Sequence, residues 1–316
     1  MENSLKQGAS KSKNKTQRDT SVEYQTIGPK GLIRKFGGIG SGIGQLKGPW
    51  GVTMSKSGDL IVGDTGNKRL QRSTMTGEFR KTIEFPDFQR SFKPEFSAVS
   101  ADGNIFTTDA GNKQVVVCDE DGKLVKCFGK GELRHPRGIA VSPINGNVYV
   151  VDTDADSVFI YRPDGDHIKT FGRQENADAR LSSPWCVAID YNGNVFVSNC
   201  GNHTIKVYSA NGDYLFSFGS LGSDNGQFYH PEGIATDMYG YVYVCDCWNN
   251  RVQKFDLYGS FVCRVDSPAH HLRSPVGICV NNDEAGDDPF GQVIVVEQNS
   301  GLVKVFHQKI EQVEYI

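Results

Sequence analysis

The feature that most constrains the fold of this chain is an internal repeat with a period of about 45 residues. A gap-free offset of 182 aligns residues 36–79 with residues 218–261. Identical pairs at that offset include Gly44 with Gly226, Asp64 with Asp246 and Arg69 with Arg251. The offset is about four periods, and periods of this length are typical of solenoids and propellers.

A small residue ahead of the first strand locates each unit, at Gly51, Ser97, Gly138, Cys186, Gly233 and Gly277. Short runs of β-branched and aromatic residues follow each marker, such as Val148–Val151 and Val158–Tyr161. Turn glycines such as Gly165 separate these runs, a spacing that favours strands over helices. The sequence therefore predicts an all-β protein with six units of four strands.

Six such units predict a six-bladed β-propeller of four-stranded antiparallel blades, with a solenoid as the alternative. The sixth unit lacks a clear fourth strand after Phe306, while residues 32–36 precede the first unit as an unpaired strand. We predict that this N-terminal strand joins the last blade and closes the ring, which removes exposed sheet edges. Val313–Ile316 is the competing candidate for that strand. The predicted organisation is a disordered basic tail over residues 1–28, the propeller over 29–308 and a C-terminal tail over 309–316.

Charge and cysteine content limit the class of protein. The net charge of −3 divides unevenly, since residues 1–35 carry eight Lys or Arg against three Asp or Glu. The absence of a signal peptide or a membrane-length apolar run predicts a soluble, cytoplasmic protein with no membrane partner. Eight Cys without a CxxC pair predict reduced, partly buried thiols and no structural zinc site. The basic tail is interpreted as a solvated linker or as an electrostatic arm for nucleic acid or localisation.

Acidic residues recur where each second strand ends, in an Asp-x-x-Asn pattern such as Asp64 with Asn67. Their repetition favours a structural role in the following turn over acid–base chemistry. Asp152, Asp154 and Asp156 alternate as calcium ligands would, but the later positions of a calcium loop are absent. No cofactor or metal is predicted, and no catalytic triad stands out.

Charge sorts by rim if the chain is a propeller. We call the loops that join fourth to first strands, and second to third strands, the upper rim. The other turns form the lower rim. The upper rim carries thirteen basic residues against nine acidic ones, whereas the lower rim carries four basic against sixteen acidic residues.

Upper-rim basic residues concentrate in units one to three, close to two phenylalanines, a combination suited to phosphates and stacked bases. An ordinary solvated rim is the alternative interpretation. The predicted RNA- or partner-binding residues are Lys68, Arg69, Phe88, Arg90, Phe92, Lys93, Lys113, Lys130, Arg134 and Arg137.

The repeated motifs resemble those of NHL repeats. They are a Phe-Gly strand end, a Gly-Gln-Phe or Gly-Gln-Leu loop, Pro-x-Gly followed by Ile or Val, and Asp-x-x-Asn-x-Arg/Lys. The resemblance covers about residues 31–306 and departs at Ala155, where Asn is usual, and at Ser97, where Gly is usual. The predicted propeller is similar to the C-terminal propellers of tripartite-motif (TRIM-NHL) proteins, although no RING, B-box or coiled-coil segment precedes the repeats here.

The resemblance implies a non-catalytic, monomeric recognition module. Such propellers select a protein partner or a single-stranded or hairpin RNA for ubiquitin-linked or post-transcriptional regulation. A protein-interaction scaffold without RNA binding is one alternative. A metal-dependent propeller enzyme is another, although the metal-binding His residues of such enzymes have no match here.

Overall fold

The structure is a computed structural model that describes residues 31–88, 90–281 and 291–308. Its strands are β1 (Leu32–Gly37), β2 (Val52–Met54), β3 (Leu60–Asp64), β4 (Arg69–Ser73), β5 (Phe79–Ile83), β6 (Pro94–Val99), β7 (Ile105–Asp109), β8 (Gln114–Cys118), β9 (Leu124–Phe128), β10 (Pro136–Val141), β11 (Val148–Asp152), β12 (Ser157–Tyr161), β13 (His167–Phe171), β14 (Pro184–Ile189), β15 (Val195–Asn199), β16 (Thr204–Tyr208), β17 (Tyr214–Phe218), β18 (Pro231–Thr236), β19 (Tyr241–Asp246), β20 (Arg251–Asp256), β21 (Phe261–Arg264), β22 (Pro275–Asn281), β23 (Gln292–Glu297) and β24 (Leu302–His307).

These strands form six four-stranded antiparallel sheets, the blades of a propeller. Blade 1 contains β2–β5, and blades 2 to 5 each take the next four strands in chain order. Blade 6 has the order β1-β24-β23-β22, so the N-terminal strand is its outermost strand. The predicted fold and ring closure are therefore confirmed, while the competing strand Val313–Ile316 lies outside the described residues.

The first strands of neighbouring blades approach closely around the central axis. A Cβ atom on Gly138 would lie 2.4 Å from Cys186 Cα in the next blade, which explains the small residue at this position. In blade 2 the strand register places Ser97 opposite Thr107, as it places Ile139 opposite Val150 in blade 3. Phe96, not Ser97, therefore occupies the glycine position, and the sequence marker for the second unit was wrong by one residue because the true position carries a large side chain.

One buried polar side chain in each blade fixes the incoming upper-rim loop. Asp64 is fully buried, and its Oδ1 accepts a 2.7 Å hydrogen bond from the Lys47 backbone N–H. Its carboxylate also accepts bonds from Asn67 Nδ2 and Arg69 Nε. The loop-fixing bond recurs at Asp109, Asp152, Asn199, Asp246 and Glu297. The structural interpretation of the Asp-x-x-Asn pattern is confirmed.

All eight cysteines are free, and burial raises the pKa of Cys186 to about 11 and of Cys279 to about 12. Such thiols stay protonated near neutral pH and react poorly.

Within residues 31–88, 90–281 and 291–308, no helix has the length and apolar character needed to cross a membrane.

Candidate functional site

An open cleft of about 580 Å³ lies on the upper rim where blades 1, 2 and 3 meet. Half of the predicted binding residues line it. Its walls also include one aromatic, one imidazole and two acidic side chains. The charged and aromatic lining residues are Lys68, Lys93, Lys113, Arg134, Arg137, Trp50, His135, Glu95 and Asp154.

The buried aspartates of the blades position the cations of this cleft. Asp109 accepts a 3.0 Å hydrogen bond from the Lys93 backbone N–H, and Asp152 accepts one from Arg134 N. Lys68 and Lys113 each follow the short turn after a second strand, in the left-handed conformation with φ of 58°. The repeat thus holds both kinds of loop at fixed places while leaving the side-chain tips on the surface.

Three of the cations are available to a ligand. Lys93, Lys113 and Arg134 are exposed, and the described part of the chain offers their side chains no hydrogen-bonding partner. Of the two acidic residues, Glu95 is buried and faces Arg137 Nη1 at 3.2 Å. The cleft therefore has a positive potential suited to an anion.

Arg137 connects the cleft to aromatic side chains around the central axis. Its guanidinium carbon lies 3.7 Å from the ring centroid of Trp185 and 5.1 Å from that of Trp50. Arginine stacks on aromatic faces by cation–π attraction. Its ion pair with Glu95 and its half-buried position make it a part of the wall rather than a free phosphate contact.

An aromatic row continues from this point across the upper rim. Trp50, Trp185, His230, Trp248 and Tyr229 contact one another in that order, with ring-centroid distances of 4.8 to 5.5 Å. His230 and Trp248 are stacked, with an interplanar angle of 9°. Trp248 is 54% exposed and Tyr229 is 40% exposed. The row therefore ends in two rings that a planar ligand can reach.

Arg69 has a different role from the one predicted. Its Nε donates to Asp64 Oδ2 at 2.8 Å, and its Nη2 donates to the carbonyl oxygens of Gly42 and Gln45. These bonds fix the loop that connects blade 6 to blade 1. Because its guanidinium is already hydrogen-bonded within the protein, we exclude Arg69 from the site.

Phe92 and Phe88 also contribute to packing. Phe92 is completely buried, with its ring edge-on to Phe85 at a centroid distance of 5.2 Å. Phe88 is half-buried and stacks on Phe85 at 5.3 Å. The role in base stacking predicted for Phe92 is excluded because its ring fills the core between blades 1 and 2.

Arg90 and Lys130 are exposed on the same rim but do not line the cleft. Lys68 Nζ donates to the backbone carbonyl of Arg90, which links the two loops. The exposed Trp248 and Tyr229 were missed by sequence reasoning. The signal was present, since a tryptophan directly after the strand end at Asp246 and Cys247 is an unusual choice for an exposed turn.

The described residues contain no group of three or more His, Cys, Asp or Glu side chains arranged to hold a metal ion. Asp156 Oδ1 instead accepts a hydrogen bond from Ser183 N at 2.8 Å. Asp154 Oδ1 lies 3.7 Å from His135 Nδ1. The alternating aspartates of blade 3 thus make local contacts with neighbouring loops.

Comparison with known proteins defines the class. The NHL repeat model matches residues 46–72, 181–208 and 228–255, which lie in blades 1, 4 and 5. The fold is also that of solved propellers, such as a streptogramin B lyase, with a TM-score of 0.61, 17% identity and 90% of each chain covered. At this identity the likeness shows the fold alone. The chain is a six-bladed β-propeller with NHL repeats in blades 1, 4 and 5, as the motifs indicated.

Its sequence relatives are much longer than the matched region. Protein brain tumor of Drosophila melanogaster is 33% identical over 113 residues, covering 34% of this chain and 11% of that protein. The B-box type zinc finger protein ncl-1 of Caenorhabditis elegans is 29% identical over 111 residues, covering 34% of this chain and 13% of that protein. The resemblance to TRIM-NHL propellers is confirmed, and the matches span a small part of these relatives' length.

Proposed function

We propose that this propeller is a recognition module that binds single-stranded or hairpin RNA on its upper rim. The observation that supports this proposal is the juxtaposition of the basic cleft and the aromatic row. Lys93, Lys113 and Arg134 provide cations for phosphates, and Trp248 and Tyr229 provide exposed rings. Cations that follow a backbone and rings that stack on unpaired bases are the two elements of single-strand recognition.

Arg137 joins these two parts of the site. It lies in the cleft wall and stacks on Trp185, the ring that begins the contact with His230 and Trp248. Arg137 Nε and Trp185 Nε1 are buried donors without a hydrogen-bond acceptor among the described residues. Unpaired buried donors in a native protein are commonly satisfied by bound water or ligand.

The module would select the RNA, and other proteins would act on it. Post-transcriptional or ubiquitin-linked regulation in the cytoplasm follows as a proposal from the TRIM-NHL resemblance. A protein partner on the same rim is the alternative occupant.

Binding of fluorescein-labelled RNA to the full chain, measured by anisotropy, tests the proposal. The probes are a random-sequence single strand of about 20 nucleotides and a mixed-sequence hairpin. The paired substitutions Lys93→Glu and Arg134→Glu should lower affinity at least about tenfold at low salt and flatten the salt dependence, because phosphate contacts release counterions. Arg137 is left intact because of its ion pair with Glu95.

A matched control places the same charge change on the lower rim. Lys123→Glu with Arg162→Glu replaces two exposed cations there, and this variant should bind RNA like the unmodified chain. RNA affinity that is independent of salt, or an equal loss in both double variants, would contradict the proposal.

A further inference from the structure

The turns of the lower rim share a backbone geometry that sets no requirement on the type of side chain at two positions. In most of the described turns the first residue caps the turn through its side chain, as when Asp190 Oδ1 accepts from Asn192 N at 2.9 Å and Asn194 N at 2.8 Å. Arg162 in blade 3 is an exception. A glycine with positive φ stands two residues before the next strand, as Gly193 does with a φ of 85° ahead of β15. Neither requirement restricts the side chains between the cap and the glycine, although the backbone N–H of such a residue can donate to the cap, as Asn192 N does.

Those unconstrained positions differ sharply around the ring. In blades 1 and 2 most are small, polar or charged, as at Lys56, Ser57, Asp102, Glu120 and Asp121. In blades 3 to 5 some are polar, such as Asp164, Asn192 and Asn211, but five carry large apolar side chains on the surface. These are Ile144 at 59% exposed, Tyr191 at 63%, Met238 at 47%, Tyr239 at 50% and Tyr258 at 83%. We call this set the apolar arc.

The apolar arc crosses three adjacent blades through neighbouring turns. A Cβ atom on Gly193 would lie 3.0 Å from Ile144 Cδ1, so the turns of blades 3 and 4 touch. Thr236 Oγ1 donates to Ile189 O at 3.0 Å, which joins blade 5 to blade 4 beside their turns. A Cβ atom on Gly240 would lie 3.1 Å from Leu257 Cδ1, next to Tyr258. Contiguous exposed apolar surface of this kind marks interaction sites.

Carboxylates flank the apolar arc. Asp164 and Asp213 are exposed in the outer turns of blades 3 and 4. Asp166 and Asp121 are 70% and 95% exposed, but each lies near one cation, with Arg162 Nη1 3.5 Å from Asp166 Oδ2 and Lys81 Nζ 3.7 Å from Asp121 Oδ1. The sixteen acidic residues of the lower rim still outnumber its four basic ones. Of the four lower-rim cations, Arg72 is buried and bonded to Asp59 and Glu120. A ligand on this surface would therefore meet apolar side chains within a negative field.

We propose that the apolar arc is a docking site for a basic peptide segment of a protein partner, anchored by aliphatic or aromatic side chains. Charge complementarity selects this occupant. A second copy of the chain, docked about a two-fold axis, would bring the same carboxylates of both copies together, and like charges in contact disfavour association. This site is separate from the upper rim and does not depend on RNA binding.

Selection from a random 12-residue peptide library displayed on phage, with the full chain immobilised, tests the proposal directly. We expect the enriched peptides to combine Lys or Arg with aliphatic or aromatic residues. A synthesised, labelled member should bind the chain with an affinity that falls as salt rises. Enrichment of acidic or uncharged peptides, or no enrichment, would overturn the proposal.

Variants of the full chain locate the binding. Tyr191→Ser with Tyr258→Ser removes the two most exposed members of the arc and should weaken the labelled peptide about tenfold or more, since aromatic anchors dominate interface energies. Val125→Ser with Leu215→Ser removes side chains that are 52% and 48% exposed on the outer strands β9 and β17, and should leave affinity unchanged. Equal weakening in both variants would overturn the assignment to the arc.

Two further measurements separate the other occupants. Sedimentation of the full chain would overturn the proposal if it showed a dimer that Tyr191→Ser with Tyr258→Ser dissociates. Peptide binding that emerges only after removal of residues 1–30 would assign the arc to the chain's own basic segment instead. The Lys93→Glu and Arg134→Glu double variant should still bind the labelled peptide, whether or not the chain binds RNA. This result would show that the two sites are independent, so that failure of one proposal does not imply failure of the other.

Discussion

Blades 1 and 5 differ from blades 2 and 3 in what their upper-rim cations do. Arg69 and Arg251 occupy equivalent positions in the first pair, and each bonds to a buried aspartate and to backbone carbonyls of its own loop. Gln114 and Ser157 stand at that position in the second pair. There the cations belong to the loops themselves, and Lys113 and Arg134 face solvent.

The difference separates charge that can be counted in a sequence from charge that a ligand can reach. An arginine inside the repeat motif is held by the motif. A cation outside the motif lies on a loop whose backbone is already fixed by a buried aspartate. Its side chain is therefore available to contact a partner. In blades 1 and 5 the arginine therefore stabilises the fold, whereas in blades 2 and 3 the exposed cations can bind a ligand.

The largest effect expected from this distinction is on stability in blade 5. Arg251 is 5% exposed, and its Nε donates to the fully buried Asp246 at 2.7 Å. Arg251→Ala would leave that carboxylate without its cation and should lower the free energy of unfolding by about 3–5 kcal/mol. Urea denaturation followed by tryptophan fluorescence measures this change.

Arg134→Ala is the matched variant in blade 3. Its side chain is exposed and unpaired among the described residues, so the free energy of unfolding should change by less than about 0.5 kcal/mol. Similar losses in the two variants would remove the distinction between motif cations and loop cations.

The next effect concerns the aromatic residues of the upper rim. Phe92 is fully buried against Phe85 and Phe88, whereas Trp248 is exposed. Phe92→Ala should cost about 3 kcal/mol of stability by leaving a cavity. The RNA affinity of the folded fraction should not change, and a selective loss of RNA affinity at full stability would restore the stacking role first predicted for Phe92.

The sequence predicted the fold well because the repeat places the same physical requirement in every blade. The tight approach at Gly138, the turn glycine at Gly193 and the loop-fixing carboxylate at Asp64 each have a local cause that a residue type reveals. Closure by β1 followed from counting strands. The error at Ser97 arose where a large residue, Phe96, stands at a position that the other blades fill with small ones.

The candidate site was predicted only in part because exposure depends on contacts between blades. The sequence shows that Phe92 and Arg69 lie on upper-rim loops, but only packing shows that one fills a core and the other clamps a loop. The aromatic row was missed for the same reason. Trp50, Trp185 and Trp248 are far apart in sequence and meet through His230 at the axis.

Trp248→Ala should reverse the pattern expected for Phe92→Ala. Its indole is 54% exposed, so truncation should cost less than about 1 kcal/mol of stability. RNA affinity should fall by about 1–2 kcal/mol, the usual contribution of one stacked base. Anisotropy with the single-stranded probe measures the effect, and unchanged affinity would confine recognition to the basic cleft.

The smallest expected effect comes from His203, which occupies in blade 4 the left-handed position held by Lys68 and Lys113 in blades 1 and 2. Its Nδ1 accepts a 3.1 Å hydrogen bond from His230 N, so the ring is bound in its neutral form. Burial, reinforced by the nearby His230, lowers the pKa of His203 below its ordinary 6.5, against the opposing effect of Asp246.

The unfolded chain therefore binds a proton at His203 before the folded chain does. The free energy of unfolding should fall as pH drops through about 6.5 and level off below the folded-state pKa. His203→Asn is the matched variant, because Asn250 in blade 5 has the same left-handed φ and its Oδ1 accepts the equivalent bond from Ser274 N. Urea midpoints between about pH 8 and pH 5 should depend less on pH in this variant. An unchanged pH dependence would mean that His203 has the same pKa in the folded and unfolded states.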